Sequence, residues 1–181
     1  MKLSALRSRI SETGFTLIEL LVVIAVMGVL ATIVLVAVDP GEQFARANDG
    51  NRKQTVNSLG NSVIQYYTVK QVMPTPASWL TDIVTAGELR QSPPASGTTC
   101  TGNAVNGYCY GTNASNDEFA TVYTSLASKA EDNNSAGTAC TTTTDVAFFV
   151  FDTYTGKTCK ICGAAALAPT PGTTLGNSAC P

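Results

Sequence analysis

The most informative chemical group in this chain is a single carboxylate inside an apolar run near the N-terminus. Glu19 is the one ionisable residue within residues 15–38 and follows closely after Gly14 and Phe15. A carboxylate within a membrane-spanning helix costs about 2 to 3.5 kcal/mol, and less toward the membrane surface. Because this cost must be offset, we expect Glu19 to have an obligatory partner and therefore a function.

Six cysteines form the second group of chemically capable side chains, and all of them lie beyond residue 99. Cys159 and Cys162 form a C-x-x-C motif, which a redox enzyme places at a helix N-terminus and a zinc site completes with two further ligands. The chain has no histidine and no second C-x-x-C motif. The cysteines therefore indicate structural disulfides rather than a catalytic or metal-binding thiol site.

The pairing of these cysteines is only partly constrained by their positions. We expect Cys100 to pair with Cys109, closing a short loop around Asn106 and Gly107. Two other cysteines would then pair with the two cysteines of the C-x-x-C motif in either order. The disulfide candidates are Cys100, Cys109, Cys140, Cys159, Cys162 and Cys180.

No other set of residues in the chain indicates an enzyme. The sequence has no phosphate-binding loop, no Ser/His/Asp or Cys/His set, and no calcium-loop spacing among its acidic residues. We therefore predict no catalytic residue, no metal site and no cofactor. The chain carries 11 basic and 13 acidic residues and lacks the basic cluster that neutralises phosphates, so nucleic-acid binding is not indicated.

The apolar run is long enough to cross a membrane. Residues 15–38 would form a helix of about 36 Å, against a hydrocarbon core of about 30 Å. The preceding residues 1–14 contain three basic residues and one acidic residue, so the positive-inside rule keeps them in the cytoplasm and places residues from 40 onward outside. An ordinary signal peptide has a shorter apolar region with its cleavage site after it, and a plain anchor leaves the carboxylate unexplained.

The junction between the basic leader and the apolar run resembles that of type IV prepilins, the precursors of pilus subunits and of type II secretion pseudopilins. The resemblance implies cleavage by a prepilin peptidase between Gly14 and Phe15. It also implies methylation of the new amino group of Phe15, and assembly through Glu19 and Phe15. The alternative is that Glu19 only caps the start of its own helix, which would contribute about 1 kcal/mol or less. The resemblance rests on Gly14, Phe15, Thr16, Leu17, Ile18 and Glu19, followed by the apolar stretch.

The resemblance divides the chain into three segments. Residues 1–14 would be a cleaved leader, residues 15–39 the transmembrane and filament-core half of a stem helix, and residues 40–181 the extracytoplasmic part. Pro40 and Gly41 predict a kink or an unwound turn, because proline lacks the amide that a helix needs and glycine adds backbone freedom. Without the leader, the mature chain would keep eight basic and twelve acidic residues.

Residues 42–70 are predicted to form the amphipathic half of the stem helix. Gly50 and Gly60 each weaken this helix by about 0.5 to 1 kcal/mol relative to alanine, so packing must compensate for them. Two i, i+4 ion pairs should contribute a few tenths of a kcal/mol each. The apolar stripe consists of Val56, Leu59, Val63 and Tyr66 or Tyr67, and the expected pairs are Glu42 with Arg46 and Asp49 with Lys53.

A short helix and a small sheet are expected to complete an α+β, type IV pilin fold with disulfide-stapled loops. The short helix would have Thr75 as its N-cap, Pro76 at its first position and Gly87 after its end. The second predicted strand could also be read as helix, because its apolar residues do not alternate strictly. The predicted strands cover about 108–112, 119–126 and 146–151.

The resemblance implies a structural subunit and not an enzyme. The protein would span the cytoplasmic membrane once before assembly and then polymerise into an extracellular pilus filament for adhesion, motility or uptake. Its partners would be identical subunits, the prepilin peptidase, an assembly ATPase and membrane platform proteins. Two alternatives are a type II secretion pseudopilin, which a calcium requirement would favour, and a thiol-active or metal-binding membrane protein.

Overall fold

The computed structural model describes residues 14–97, 100, 102–112, 118–132, 140 and 145–164. The chain divides into two compact units, Met1–Pro40 and Gly41–Pro181. Apart from Gly14, the predicted leader lies outside the described residues. The division into leader, membrane segment and extracytoplasmic part therefore stays a prediction.

Four helices and five strands occur in the described part of the chain. Each pair of neighbouring strands is antiparallel, and the strand order is β1-β2-β3-β4-β5. This arrangement confirms the predicted α+β, pilin-like fold class. The helices are α1 (Leu17–Val38), α2 (Pro40–Lys70), α3 (Trp79–Thr85) and α4 (Lys129–Asp132), and the strands are β1 (Asn103–Val105), β2 (Tyr108–Thr112), β3 (Ala120–Ser125), β4 (Asp145–Asp152) and β5 (Lys157–Ala164).

The first unit contains α1, a helix of 22 residues and therefore of about 33 Å. Among the described residues it is the one helix that is long and apolar enough to cross a membrane. Asp39 follows it in a left-handed conformation, with φ of 40°, and Pro40 begins α2. Proline suits the first position of a helix, because no intrahelical bond needs its missing N–H there. A kink at Pro40 and Gly41 stays a prediction.

One face of α2 forms the core of the second unit. Val56, Leu59 and Val63 are almost completely buried, as the predicted apolar stripe requires. Trp79 of α3 stacks on Tyr110 of β2, with ring centroids 5.4 Å apart. The stripe packs in one cluster with Trp79, Leu80, Ile83, Tyr108, Tyr110, Ala120, Val122 and Phe151. We call this cluster the helix-side core.

The opposite face of the sheet carries a second cluster, which we call the far-side core. The central strand β3 is buried along its whole length, because its two faces belong to the two cores. This explains why the predicted strand 119–126 lacks strict alternation, and it resolves that segment as a strand. The far-side core consists of Cys109, Tyr123, Phe148, Val150 and Ile161, with Cys100, Val146 and Cys159 packed against it.

The sequence predicted three of the five strands. β2 has the predicted bounds, β3 is one residue shorter at each end than predicted, and β4 is one residue longer at each end. β1 and β5 were not predicted. β1 has three residues, and β5 mixes lysine, cysteine and small residues without apolar alternation. β5 pairs along its whole length with β4, so its conformation depends on a neighbour and not on a local pattern.

Close packing explains one of the two glycines in α2. A Cβ atom at Gly60 would lie 2.2 Å from Cγ of Phe151, whereas a Cβ atom at Gly50 would have nothing within 4 Å. The ring of Phe151 therefore occupies the space that a side chain at Gly60 would need. Packing was expected to compensate for the stability that glycine removes from α2. Such packing is present at Gly60, where α2 approaches β4 closely.

The short helix α3 begins later than the sequence predicted. Its N-cap is Ser78 and not Thr75, and Pro76 lies in the turn before it. The carboxylate of Asp82 accepts hydrogen bonds from the Thr75 amide at 3.0 Å and from the Ser78 hydroxyl at 3.1 Å. These bonds stabilise the turn in place of another turn of helix. Gly87, with φ of 84°, follows the end of α3 as predicted.

One of the two predicted ion pairs on α2 is present. Arg46 Nε lies 3.0 Å from Glu42 Oε1. The predicted pair of Asp49 with Lys53 is wrong, because Asp49 pairs with Arg52 at 2.6 Å and Lys53 pairs with a carboxylate outside α2. Asp49 and Arg52 are buried and pair at i, i+3 spacing within α2. Each also has a hydrogen bond to a segment outside the helix, which the i, i+4 spacing does not predict.

Carboxylates of α2 hold the segment 126–132 that follows β3. Asp49 accepts hydrogen bonds from the amides of residues 127–128, the shortest at 2.8 Å. Glu42 accepts hydrogen bonds from the amides of residues 129–130 at 3.0 and 3.2 Å. The bond from the amide of residue 129 is the main reason that the pKa of Glu42 lies below its usual value.

Glu131 of α4 bridges two lysines from different elements. Lys53 of α2 contacts its Oε1, and Lys160 of β5 lies 3.4 Å from its Oε2. Burial by itself would raise the pKa of Glu131, but the hydrogen bond and the positive charge of Lys53, followed by those of Lys160, lower it below its usual value. We call these three residues the Glu131 bridge.

We predict opposite effects for alanine at the two glycines of α2. Gly60→Ala would press a methyl group into the ring of Phe151, and such overpacking should lower the free energy of unfolding by about 1 to 3 kcal/mol. Gly50→Ala, the matched control, should raise it by about 0.5 to 1 kcal/mol. Urea unfolding of the unit Gly41–Pro181 measures both effects. Stabilisation by both substitutions would contradict the close approach of α2 to Phe151.

The Glu131 bridge predicts an acid dependence of stability. A carboxyl whose pKa is lowered by folding stabilises the folded state above its unfolded pKa, and this contribution is lost as the pH falls through the folded pKa. Glu131→Gln should therefore lower the unfolding free energy near neutral pH, by at most about 1 kcal/mol because the bridge is partly exposed. The difference from wild type should begin to decrease as the pH falls below the usual carboxyl pKa of 4.5 and should disappear below the lower pKa of the folded state. Urea unfolding across a pH series decides this, and a difference that does not change with pH would contradict it.

Candidate processing and assembly site

Hydrogen bonds between Thr16 and Glu19 define the start of α1. Thr16 is the N-cap, with extended backbone angles of −78° for φ and 149° for ψ. Its hydroxyl accepts a hydrogen bond from the Glu19 amide at 3.3 Å. In return, Glu19 Oε2 accepts bonds from the Thr16 amide at 3.1 Å and from the Thr16 hydroxyl at 2.9 Å. This reciprocal arrangement is a capping box, and it makes Leu17 the first helical residue.

The carboxylate of Glu19 keeps one oxygen available while it caps the helix. Both of its capping bonds end on Oε2, and Oε1 accepts no hydrogen bond from the described residues. A carboxylate has about four acceptor positions on its two oxygens. Glu19 can therefore cap its own helix and bind a cationic group through Oε1 at the same time.

Apolar side chains surround the whole of α1. None of its residues is buried, and its leucine, isoleucine and valine side chains are 49% to 86% exposed. Phe15, just before the N-cap, is 88% exposed. A helix that is apolar on all sides is stable only where lipid or other apolar helices cover it. The exposed surface of α1 is therefore a binding surface for one or both of these.

The structure brings the predicted cleavage, methylation and assembly residues together at one end of α1. Gly14 and Phe15 directly precede the N-cap, and Glu19 lies in the first helical turn. Pro40 and Gly41, the predicted kink residues, lie beyond the other end of α1. Proximity in this case follows from the sequence, so the functions of these residues stay predictions.

Thr16 belongs to this site, although no function was predicted for it. A threonine followed three residues later by a glutamate, just before an apolar run, is the sequence signature of a capping box. The signal was therefore present in the sequence. Capping by Glu19 was an alternative that the sequence left open, but the contribution of Thr16 to that cap was not predicted.

Two disulfides join cysteines within the described residues of the second unit. Cys100 is bonded to Cys109, which confirms the predicted local pair. Cys140 is bonded to Cys162, one of the two alternatives that the sequence left open. Cys180 lies outside the described residues. Among the described cysteines none is free, so these loops are cross-linked as the fold prediction required.

The C-x-x-C motif lies in strand β5 and not at a helix N-terminus. Cys159 and Cys162 are three residues apart in a strand, so their side chains point to opposite faces of the sheet. Cys159 packs against the far-side core and is disulfide-bonded, while Cys162 bonds to Cys140. The two cysteines of the motif are therefore not bonded to each other and lie on opposite faces of the sheet. Within the described ranges, no group of three or more cysteine, aspartate or glutamate residues is placed to hold a metal ion.

Comparison with known families independently identifies the N-terminal segment. Residues 9–35 match the sequence model of the prokaryotic N-terminal methylation motif. No curated protein and no solved structure matches the chain. The motif, the apolar helix and the antiparallel sheet are consistent with a type IV prepilin-like protein, and the motif supports a pilin or pseudopilin-like protein. The motif points to a structural subunit, and together with the apolar helix it is consistent with a membrane-anchored precursor.

We predict that peptide mapping under non-reducing conditions will recover the linked peptides of Cys100 with Cys109 and of Cys140 with Cys162. Replacing Cys100 and Cys109 together by serine should lower the free energy of unfolding by about 3 kcal/mol, the loop-closure value for a loop of this length. A peptide with an internal bond between Cys159 and Cys162 would contradict the placement of this motif in a strand.

Proposed function

We propose that this protein is the structural subunit of a type IV pilus filament and polymerises through α1. The observation that carries the proposal is the helix itself: it is apolar on every side, none of its residues is buried, and it overlaps the methylation motif. Lipid would cover this surface before assembly, and the helices of neighbouring copies would cover it in the filament. Polymerisation would thus exchange lipid contacts for close helix packing.

Processing would precede assembly at the peptide bond between Gly14 and Phe15. Both residues lie outside the helix and are exposed, so a peptidase can reach the bond. Cleavage would remove the basic leader, residues 1–14, whose positive charge holds that end in the cytoplasm. The same machinery would then methylate the new amino group of Phe15.

Glu19 would pair with the amino group of Phe15 from a neighbouring subunit. Cleavage creates this amine at the positive end of its own helix dipole, where a cation is unfavourable. A neighbouring carboxylate would neutralise it, and Oε1 of Glu19 supports this function because, among the described residues, the capping bonds end on Oε2. In an apolar interior, losing one partner of a buried pair costs about 3 to 5 kcal/mol, so this contact would determine which subunits dock.

The remaining parts of the proposal concern location and partners. The precursor would cross the cytoplasmic membrane once, with the unit Gly41–Pro181 outside the cytoplasm, where its disulfides can form. A prepilin peptidase, an assembly ATPase and membrane platform proteins would process and extrude the subunits, and the filament would serve adhesion, motility or uptake. A type II secretion pseudopilin is the alternative, because the same motif occurs in that class. Long surface filaments would favour the pilus subunit, and a calcium requirement would favour the pseudopilin.

We predict that Glu19→Ala and Glu19→Gln will both prevent filament formation. Alanine removes the charge and the cap, whereas glutamine removes the charge and keeps an oxygen that accepts the Thr16 amide. A loss of 3 to 5 kcal/mol lowers the docking equilibrium by more than about a hundredfold. Surface filaments should therefore be absent or rare in both variants, as counted by electron microscopy of cells that express equal amounts of subunit.

Glu88→Gln is the control for this experiment, because it also removes one carboxylate but lies in the second unit. It should leave filament number unchanged. Normal filaments from Glu19→Gln, together with few filaments from Glu19→Ala, would show that capping alone is needed and would contradict the pairing. Normal filaments from both variants would contradict any assembly function of Glu19.

A further inference from the structure

The point at which α1 begins has a consequence for the peptide bond that precedes it. The helix starts at Leu17, and the bond between the Leu20 amide and the Thr16 carbonyl, at 3.3 Å, lies at its first turn. The carbonyl of Gly14 therefore lies before the helical hydrogen-bond ladder. This carbonyl carries the carbon atom that a peptidase must attack for the cleavage proposed above.

A helix that began a few residues earlier would protect this bond. In an α-helix each carbonyl accepts a hydrogen bond from the amide four residues later. If the helix included Gly14, its carbonyl would bond to the amide of Ile18, and attack would first require local unwinding. The sequence contains Thr13, a hydroxyl residue that can also act as an N-cap. With Thr13 as its N-cap, the helix would begin at Gly14 and would include the bond between Gly14 and Phe15.

Two features of the sequence favour the observed start over this alternative. Gly14 is a poor residue for a helix interior, because it loses more backbone freedom than other residues. The capping box adds a positive preference: the Thr16 hydroxyl and the Glu19 carboxylate satisfy each other's backbone amides only if Thr16 has extended angles. Removing the Thr16 hydroxyl would weaken that preference and leave the charge of Glu19 in place.

We propose that Thr16 is a positioning residue for prepilin processing: as the N-cap of α1 it stops the helix and keeps the bond between Gly14 and Phe15 extended for the peptidase. This inference rests on the proposed cleavage at that bond. It assigns Thr16 a function in the precursor that is separate from the function of Glu19 in the filament. The capping contact acts before cleavage, and the pairing of Glu19 Oε1 acts after it.

The test compares cleavage rates of the full-length chain in detergent micelles with a purified prepilin peptidase. Thr16→Val keeps the shape of the side chain and removes the hydroxyl, so cleavage should be about fivefold slower, the factor that corresponds to loss of a typical N-cap. Thr16→Ser and Thr16→Asn restore capping oxygens on different side chains, and both should be cleaved within about twofold of wild type. The carbon chemical shifts of Phe15 in the uncleaved chain should become helical in the valine variant alone.

Thr32→Val is the matched control, because the hydroxyl of Thr32 bonds to the Val29 carbonyl at 2.7 Å inside the same helix and not at its start. It should be cleaved at the wild-type rate. Wild-type cleavage of Thr16→Val, or equal slowing of Thr32→Val, would overturn the positioning function. Slow cleavage of Thr16→Asn with normal cleavage of Thr16→Ser would also overturn it, because the peptidase would then read the hydroxyl directly. Failure of the wild-type chain to be cut would instead reject the proposed cleavage itself and this inference with it.

Discussion

Water cannot solvate α1 without a large free-energy cost, and this constraint underlies the rest of the protein. Covering a leucine, isoleucine or valine side chain is worth about 1.5 to 3 kcal/mol, and none of these side chains in α1 is buried within the chain. The total is on the order of tens of kcal/mol, far above the stability of a small domain. Lipid and other apolar helices are the two environments that can supply it, and the proposed assembly would exchange the first for the second.

The second unit meets a different requirement, because it must fold in water on its own contacts. Val56, Leu59 and Val63 contribute one apolar stripe from α2, and the remaining core comes from α3 and the sheet. Buried Asp49 and Arg52 then determine where the connecting segments attach. Asp49 holds the segment after β3, and Arg52 donates to the carbonyl of Ser96 at 2.7 Å. Two disulfides restrict further loops in the same unit.

The start of α1 combines two uses of one carboxylate. Glu19 Oε2 completes the cap with Thr16, and no described residue donates a hydrogen bond to Oε1, which can accept a positive group. A residue placed one turn later could not reach the Thr16 amide, and a shorter aspartate would not fill the N3 position of a capping box in the same way. The position and the chemical type of Glu19 therefore satisfy helix initiation and the proposed subunit pairing together.

Residue type and short-range spacing were enough to predict the elements of this fold that are determined locally. The length and apolarity of α1, the stripe of α2 and the strands β2, β3 and β4 follow from residue type and spacing. The pairing of Cys100 with Cys109 was predicted because the two cysteines lie close together in the sequence.

The errors concern features that depend on distant partners. The pair of Asp49 with Lys53 was wrong because Asp49 pairs with Arg52 and accepts hydrogen bonds from the segment after β3, while Lys53 pairs with Glu131 of α4. Strand β5 was missed because β4 supplies its pairing. The start of α3 was displaced because the carboxylate of Asp82 stabilises the preceding turn. The clash that excludes a side chain at Gly60 also requires knowledge of where Phe151 lies.

The capping function of Thr16 is a different case, because its signature was readable from two residues. The sequence allowed two interpretations of Glu19, a pair with a neighbouring subunit and a cap on its own helix start, but Thr16 was not recognised as the partner in that cap. A carboxylate at the third position of an apolar helix deserves both interpretations, since the capping bond and the charge pair use different oxygens.

The most direct test of the central claim is the mass of the N-terminal peptide from filaments sheared off the cell surface. The account predicts that the filament subunit begins at Phe15, carries one methyl group on its amine and contains none of residues 1–14. A surface-assembled subunit that begins at Met1, or one that begins after Val38 and therefore lacks α1, would contradict the account.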